Sequence, residues 1–194
     1  MEPQKIAIFL SGAGSNAEAI MQHFHGRDDI KVTLVVSSNP LAGGLKKAEH
    51  FDVPTLILEK AAFYGNELLL SQLRERGIDW IVLAGFLWLV PPYLIRAFPA
   101  RIINIHPALL PKYGGKGMYG AKVHEAVIAA GEQESGITIH YIDEHYDEGV
   151  IISQEKCKIS FGETPETLAA KIHQLEHRVY PQVIDKTISA FALK

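Results

Sequence analysis

The most constraining feature of this sequence is a regular alternation of short apolar runs with helix-patterned stretches through its first half. The apolar runs lie at 5–11, 31–38, 54–58, 80–83 and 101–106, and the helical patterns at 17–25, 43–51, 66–76 and 92–98. Short continuous apolar runs are typical of strands that are covered on both faces. Their alternation with helices predicts an α/β fold built on a doubly wound, mostly parallel, Rossmann-like sheet. Ligands of such sheets bind at the carboxyl ends of the strands.

The pattern changes after Pro111. A glycine-rich loop at 113–120 precedes a predicted helix at 121–130, and two apolar stretches at 136–142 and 149–159 flank a polar turn. Their close spacing predicts a hairpin, which adds an antiparallel strand near the C-terminal edge of the sheet. A long helix is expected from about Thr164 to the end of the chain. With neither a repeat nor a linker, residues 1–194 are expected to form one domain.

Composition narrows the classes of protein that this chain can belong to. The formal net charge of −3 gives no long-range attraction to nucleic acid or to an anionic membrane. No apolar stretch approaches the roughly 20 residues that span a bilayer, and the first residues lack the pattern of a signal peptide. Cys157 is the single cysteine, which excludes a disulfide framework and favours an apolar role within a strand. We therefore expect a cytoplasmic protein without nucleic-acid or membrane partners.

A glycine-rich turn, Gly12-Ala13-Gly14-Ser15-Asn16, lies between the first strand and the first helix. Glycines let the backbone approach a ligand closely, and a helix N-terminus favours an anion. The turn lacks the third glycine of a dinucleotide fingerprint and the lysine of a Walker loop. Phosphate binding and a simple turn with Ser15 or Asn16 as the N-cap are therefore equally supported by these residues.

Asn104 and His106 stand two residues apart at the end of the run at 101–106, just before Pro107. Because side chains alternate along a strand, both point to the same face. An amide can donate to a developing oxyanion, and a histidine can exchange a proton near neutral pH. The pair suits acyl-type chemistry at a carbonyl carbon. Asp147, in the polar turn at 143–148, would orient His106 and favour its charged form if it lay nearby.

The remaining histidines allow a second interpretation. His140, His145 and Asp147 are candidate metal ligands, but their spacing does not match a helical zinc pair, so we expect no metal. His173 and His177 are four residues apart on the last predicted helix, which favours a helix face toward a polar pocket. The apolar segment at 86–92 is either core or a wall for a flat ligand.

Five motifs together resemble the glycinamide ribonucleotide formyltransferases, folate-dependent enzymes of purine synthesis. They are Ser-Gly-Ala-Gly-Ser-Asn at 11–16, Leu-Ala-Gly-Phe at 83–86, Asn-Ile-His-Pro-Ala-Leu-Leu-Pro at 104–111, Gly-Ile-Thr-Ile-His-Tyr-Ile-Asp-Glu-His-Tyr-Asp-Glu-Gly at 136–149, and Glu-His-Arg-Val-Tyr-Pro at 176–181. The resemblance covers nearly the whole chain. It implies the formyltransferase fold, no metal, and either a monomer or a homodimer.

The resemblance also implies a reaction and three catalytic residues. The formyl group of N10-formyltetrahydrofolate, the co-substrate, passes directly to the primary amine of glycinamide ribonucleotide through a tetrahedral oxyanion. Asn104 and protonated His106 would stabilise that oxygen. Asp147 would keep His106 charged and help to move the proton, through water, from the amine to the departing folate nitrogen.

Substrate contacts follow from the same resemblance. The phosphate of the ribonucleotide is expected on Gly14, Ser15 and Asn16, and its other contacts on Pro107 and Glu176. The folate residues are Leu87, Trp88, Leu89, Val90, Ile142, Asp143 and Glu144. Relatives often carry a basic residue where Trp88 stands, and Trp88 is able to stack on the folate instead. The loop at 114–120 is longer than in many relatives and contains Lys116, which would either contact the phosphate or serve only as a solubilising charge.

Three alternative functions, two related enzymes and a binding module, would require a different domain composition or a different set of site residues. Formyltetrahydrofolate hydrolase shares the Asn, His and Asp set but carries a domain before it, for which the first strand at about Lys5 leaves no room. Methionyl-tRNA formyltransferase adds a C-terminal nucleic-acid-binding domain and usually a basic surface. A non-catalytic folate- or nucleotide-binding module would not need all three catalytic positions. We therefore expect the ribonucleotide formyltransferase.

Overall fold

A computed structural model describes residues 2–192, which form one seven-stranded sheet with helices on both faces. The strands are β1 (Gln4–Leu10), β2 (Ile30–Ser37), β3 (Thr55–Ile57), β4 (Trp80–Leu83), β5 (Ile102–His106), β6 (Glu134–Tyr141) and β7 (Ile151–Lys158). The helices are α1 (Ser15–Phe24), α2 (Gly43–His50), α3 (Lys60–Gly65), α4 (Leu68–Glu75), α5 (Pro92–Ala97), α6 (Ala121–Ala129) and α7 (Pro165–Ala192). The last residues of the predicted C-terminal helix and of the predicted domain, and residue 1, lie outside the described part.

The strand order is β3-β2-β1-β4-β5-β6-β7. The first five strands are parallel to one another, β6 is antiparallel to β5, and β7 is antiparallel to β6. The predicted doubly wound sheet with an antiparallel strand near its C-terminal edge is therefore confirmed. After β3 the chain crosses back to the other side of β1, so the strand order switches between β1 and β4. That switch point is where ligands of such sheets bind.

The burial of β1 on both faces explains its continuous apolar sequence. Ile6, Ile8 and Leu10 pack with residues of α1, α2, α6 and α7. Ala7 and Phe9, on the opposite face, pack with residues of α3, α4 and α5. Because a strand covered on both sides has no solvent-facing positions, it needs no polar alternation.

Two details differ from the sequence-based prediction. The helix predicted at 66–76 is shorter, and it is preceded by α3, which was not predicted. The six residues of α3 contain one buried side chain, Phe63, so no helical periodicity is visible in the sequence. The carboxylate of Glu59 accepts the Ala62 N–H at 3.3 Å and caps the start of this helix. Cys157 is half-buried against the core, as predicted for an apolar residue of a strand.

The long helix α7 is tied to the sheet by Tyr180. This residue is fully buried, and its hydroxyl lies 2.9 Å from the Leu83 carbonyl oxygen and 3.1 Å from that of Ile103. Leu83 is the last residue of β4, and Ile103 is the second residue of the neighbouring strand β5. Tyr180 therefore fixes α7 against the two adjacent strands β4 and β5. Within residues 2–192, no helix combines the length and the apolar composition needed to cross a membrane.

We predict that Tyr180→Phe lowers the free energy of unfolding by about 1–3 kcal/mol, because the buried hydrogen bond that the hydroxyl shares between the Leu83 and Ile103 carbonyls is lost. Chemical denaturation measures this change. Tyr64→Phe is the matched control, since its hydroxyl contacts the Leu89 carbonyl at the surface, and we expect it to change stability by less than about 0.5 kcal/mol. Equal losses in the two variants would contradict the bridging role of Tyr180.

Candidate active site

A cavity of about 830 Å³ opens at the carboxyl ends of β1, β4 and β5, at the switch point of the sheet. It brings together most of the residues that the sequence predicted for the site. These are Gly14, Ser15, Asn16, Leu87, Trp88, Leu89, Val90, Asn104, His106, Pro107, Ile142, Asp147 and Glu176. Asp143 and Glu144 do not line it, and the Asp143 carboxylate instead accepts the His145 backbone N–H at 2.8 Å.

Asn104 is held by a buried histidine on the neighbouring strand. The antiparallel pairing of β5 with β6 places His140 directly opposite Asn104, and the amide nitrogen lies 3.1 Å from His140 Nε2. His140 Nδ1 lies 3.0 Å from the Tyr141 carbonyl oxygen, which only accepts, so Nδ1 carries the hydrogen. Burial lowers the pKa of His140, and the neutral ring then accepts an Asn104 N–H at Nε2. The second amide hydrogen of Asn104 remains available to a ligand.

His106 is almost fully buried and has a protein group near each ring nitrogen. Nε2 lies 2.7 Å from the Tyr113 carbonyl oxygen, so this nitrogen carries a hydrogen and donates it. Nδ1 lies 3.6 Å from Asp147 Oδ2, which is close enough for charge attraction but longer than a hydrogen bond. Nδ1 therefore retains its hydrogen-bonding capacity for a ligand or a water beside the carboxylate.

Asp147 reaches this position through a tight turn between β6 and β7. Its own φ is 58°, in the left-handed region that Asp and Asn tolerate better than most residues. A Cβ on Gly149 would lie 1.8 Å from the Tyr141 carbonyl oxygen, so only glycine fits there. The expectation that Gly149 permits close packing next to Asp147 is confirmed. The Gly115 N–H donates to Asp147 Oδ2 at 2.9 Å, and Oδ1 lies 3.7 Å from His140 Nε2.

The glycine-rich turn ends at the N-terminus of α1. Gly14, rather than Ser15 or Asn16, is the N-cap, with φ 73°, and no side chain caps the helix. A Cβ on Gly14 would lie 2.4 Å from Gly44 Cα, which explains the glycine at this position. Because the first N–H groups of a helix have no intrahelical partner, they are available to an anion in the cavity. The prediction that Ser15 or Asn16 is the N-cap is therefore wrong, and phosphate binding at this turn stays a prediction.

A buried carboxylate lies beside this turn. Glu176 is 5% exposed, and its Oε2 accepts the Asn16 amide N–H at 2.9 Å. Burial raises the pKa of Glu176, while the Asn16 hydrogen bond opposes that shift. Asn16 Oδ1 is buried and has no hydrogen-bond partner among the described residues. One end of the cavity thus offers N–H donors for an anion next to acceptors suited to hydroxyl groups.

Comparison with known proteins places this arrangement in a family. A family model described as formyl transferase matches residues 4–184. The chain belongs to the formyl transferase family. It is 38% identical over 192 residues to the phosphoribosylglycinamide formyltransferase of Bacillus subtilis, and the match covers 95% of each chain. It is 41% identical over 187 residues to the chloroplastic enzyme of the same name from Arabidopsis thaliana, a match that covers 93% of this chain.

Solved structures agree with these sequence matches. The phosphoribosylglycinamide formyltransferase of Bacillus halodurans is 38% identical, with a TM-score of 0.85 and 96% of both chains covered. Glycinamide ribonucleotide transformylase 1 from Geobacillus kaustophilus is 37% identical, with a TM-score of 0.85, covering 94% of this chain and 97% of that chain. The chain spans 64% and 60% of the length of the chloroplastic relatives from Arabidopsis thaliana and Vigna unguiculata.

Several residues of this cavity were not assigned to the site from the sequence. His140 was weighed only as a metal ligand, because its contact with Asn104 depends on a strand register that the sequence does not state. Tyr113 and Gly115 contribute backbone atoms, which no side-chain motif reveals. His124 is 2% exposed on the cavity wall, and burial lowers its pKa. Within residues 2–192, no three His, Cys, Asp or Glu side chains are grouped to hold a metal ion.

The apolar segment at 87–90 is partly packed in the protein and partly exposed at the cavity. Leu87 is 55% exposed at the cavity, and its N–H donates to Ser11 Oγ at 2.9 Å. Trp88 packs among Phe63, Tyr64 and Phe86, with ring centroids 5.5–6.2 Å apart. Trp88 is anchored in an aromatic cluster and also lines the cavity, and the binding of a flat ligand against it stays a prediction.

We predict that the His140 ring stays neutral at about pH 7, with its hydrogen on Nδ1, since burial lowers its pKa below the ordinary value. Protonation on acidification then destabilises the fold, because the folded state disfavours the charged ring. Nitrogen-15 NMR of the imidazoles identifies the protonated nitrogen. If the neutral ring carried its hydrogen on Nε2 instead, it would donate to Asn104, and the Asn104 atom facing it would have to be the amide oxygen.

Proposed function

We propose that this chain transfers the formyl group of N10-formyltetrahydrofolate to the primary amine of glycinamide ribonucleotide. The observation that carries the proposal is the convergence of Asn104, His106 and Asp147 in a cavity that also contains an uncapped helix N-terminus. One cavity therefore contains groups that can stabilise an oxyanion and a site that can bind an anion. This combination suits an acceptor that bears both an amine and a phosphate. The Bacillus subtilis and Bacillus halodurans relatives, both named phosphoribosylglycinamide formyltransferase, support the same activity.

The reaction forms a bond between the amine nitrogen and the formyl carbon, and the formyl oxygen takes the negative charge. The free Asn104 N–H and the Nδ1–H of protonated His106 would donate to that oxygen. Both donors are held by other groups, Asn104 by His140 and His106 by the Tyr113 carbonyl. Donors fixed in advance stabilise a developing charge without reorganising during the reaction.

The tetrahedral intermediate collapses when the bond between the formyl carbon and folate N10 breaks. The amine must lose a proton and N10 must gain one. Asp147 would hold His106 in its charged form, since their closest atoms are 3.6 Å apart. The carboxylate would also relay the proton through a water, because Oδ1 has no hydrogen-bond donor among the described residues. His140 does not compete for this role, since its Nε2 lone pair faces Asn104.

The phosphate would lie on the backbone N–H groups of Ser15 and Asn16 at the start of α1, beside Gly14. Glu176 would accept a hydrogen bond from a ribose hydroxyl, and Asn16 Oδ1, which is buried without a partner, would accept another. Pro107 follows His106 directly and would border the glycinamide part. The role of Lys116, which lines the same cavity, stays open.

The pterin would lie between the segment at 87–90 and Ile142, where apolar side chains line the cavity. Asp143 and Glu144 lie outside the cavity lining, so neither residue contacts the pterin in this proposal. Trp88 would provide an aromatic face where relatives often carry a charge, and Lys60 Nζ lies 5.9 Å from its ring centroid. No step of this reaction requires a metal.

The first test is formyl transfer, measured as loss of N10-formyltetrahydrofolate with and without glycinamide ribonucleotide. We expect turnover that depends on the ribonucleotide and that falls about a hundred- to a thousandfold in Asn104→Ala. Asp147→Asn, which keeps the shape and tolerates the positive φ, should lose most turnover as well. Gln182→Ala, an exposed amide on α7, is the control and should stay within about twofold of wild type.

Other outcomes of this assay reject the proposal in different ways. Folate consumption that does not require the ribonucleotide would identify a hydrolase. Tight folate binding without turnover of any amine would identify a binding module. Wild-type turnover in Asn104→Ala would show that the reaction occurs without a contribution from Asn104.

The phosphate assignment has its own test. Asn16→Asp is unsuitable, because its carboxylate would face buried Glu176. Ser15→Asp instead places a negative charge beside the expected phosphate, and we expect the KM for the ribonucleotide to rise at least about tenfold. Ser15→Asn, which is uncharged and of similar size, is the control. An unchanged ribonucleotide KM in Ser15→Asp, or an equal rise in the folate KM, would place the phosphate elsewhere.

A further inference from the structure

The glycine-rich loop at 113–120 contacts both titratable members of the catalytic set through its backbone. The Tyr113 carbonyl oxygen accepts the His106 Nε2–H at 2.7 Å. The Gly115 N–H donates to Asp147 Oδ2 at 2.9 Å. That same carboxylate oxygen lies 3.6 Å from His106 Nδ1. Two backbone groups of one short segment therefore hold the two side chains whose separation the reaction depends on.

The Tyr113 contact determines which nitrogen of the His106 ring carries a hydrogen, and the Gly115 contact determines the orientation of the Asp147 carboxylate. A carbonyl only accepts, so Tyr113 requires a hydrogen on His106 Nε2 and turns Nδ1 toward Asp147. The Gly115 N–H orients the Asp147 carboxylate, whose other oxygen has no hydrogen-bond donor among the described residues. The loop thereby restricts the orientation of both side chains.

The loop is itself anchored away from the cavity. The Tyr113 hydroxyl and Lys112 Nζ each lie 2.8 Å from Glu132 Oε1, in the turn after α6. The Tyr113 ring packs against the core, while its backbone takes a φ of 57°. This anchor holds the Tyr113 carbonyl in place beside His106.

The two glycines after Tyr113 explain why the loop can approach so closely. A Cβ on Gly114 would lie 2.5 Å from Leu110 Cδ2 and 3.3 Å from Asp147 Cβ. Gly115 has no such neighbour within 4 Å but adopts a φ of 94°, which side chains rarely tolerate. Gly114 is therefore required for space and Gly115 for backbone conformation.

We propose that Tyr113 and Gly115 are positioning residues, whose backbone carbonyl and N–H set the distance and orientation between His106 and Asp147. The inference rests on the proposed function, because it assigns a purpose to the loop in that reaction. It predicts that disturbing the Gly115 peptide slows the chemical step without weakening the binding of either substrate. Misplacement of a catalytic group by about 1 Å costs on the order of a hundredfold in rate.

The test compares two alanine substitutions that impose the same backbone strain. Gly115→Ala and Gly117→Ala each place a side chain at a positive φ, 94° and 90°, with nothing within 4 Å of the new Cβ. Relief of that strain at Gly115 rotates the peptide that donates to Asp147, whereas the Gly117 peptide makes no hydrogen bond to His106 or Asp147. The two variants should therefore have similar thermal melting temperatures and differ in catalysis.

We expect kcat to fall about ten- to a hundredfold in Gly115→Ala, with both KM values within about threefold of wild type. The loss in Gly117→Ala should be clearly smaller. Equal losses of kcat in the two variants, or a loss in Gly115→Ala that lies in KM, would overturn the inference. Gly114→Ala should resemble Gly115→Ala, since its Cβ presses on Asp147.

A second readout does not depend on activity. Nitrogen-15 NMR of the His106 ring should show a protonated Nε2 in wild type, and the Nδ1 resonance should move in Gly115→Ala but not in Gly117→Ala. If wild type does not transfer the formyl group and this shift is present, the proposed function fails while the positioning contact stands. If the ring resonances are the same in all three proteins, the inference fails whatever the activity.

Discussion

The antiparallel pairing of β6 with β5 is the contact on which the candidate site depends. It places His140 opposite Asn104 and Thr138 opposite His106. The Thr138 hydroxyl then donates to the Ala108 carbonyl at 2.7 Å and accepts the Leu110 N–H at 3.0 Å, which fixes the chain just after His106. The turn that follows β6 returns Asp147 to the same cavity. A single strand pairing therefore assembles groups that lie far apart in sequence.

Each polar side chain of the site is held by its own hydrogen bond within a largely apolar cavity. Asn104 donates to His140, His106 donates to Tyr113, and Asp147 accepts from Gly115. Because a buried polar group without a partner is costly, each of these bonds also contributes to stability. The groups left with spare hydrogen-bonding capacity are the second Asn104 hydrogen, His106 Nδ1 and Asp147 Oδ1. These are the atoms that the proposed reaction uses.

Sequence patterns predicted the parallel strands because a strand that is buried on both faces is apolar along its length, whichever helices cover it. They also predicted that Asn104 and His106 share a face, since side-chain alternation is a local property. The roles of His140, Tyr113 and Gly115 could not be predicted, because they depend on strand register and on backbone atoms. The short helix α3 was missed since it buries only Phe63. Cytoplasmic location, oligomeric state and the absence of nucleic-acid partners stay predictions.

One turn of α7 carries both Glu176, on the cavity wall, and Tyr180, which is hydrogen-bonded to backbone carbonyls of β4 and β5. The Glu176 side of the cavity is therefore held at a fixed position relative to the sheet. On the loop side, backbone groups of Tyr113 and Gly115 hold His106 and Asp147, so a ligand that displaced the loop at 113–120 would also displace these two side chains. An inhibitor extended from the Glu176 side would meet a fixed wall, whereas one that pushes against the loop would change the separation of His106 and Asp147.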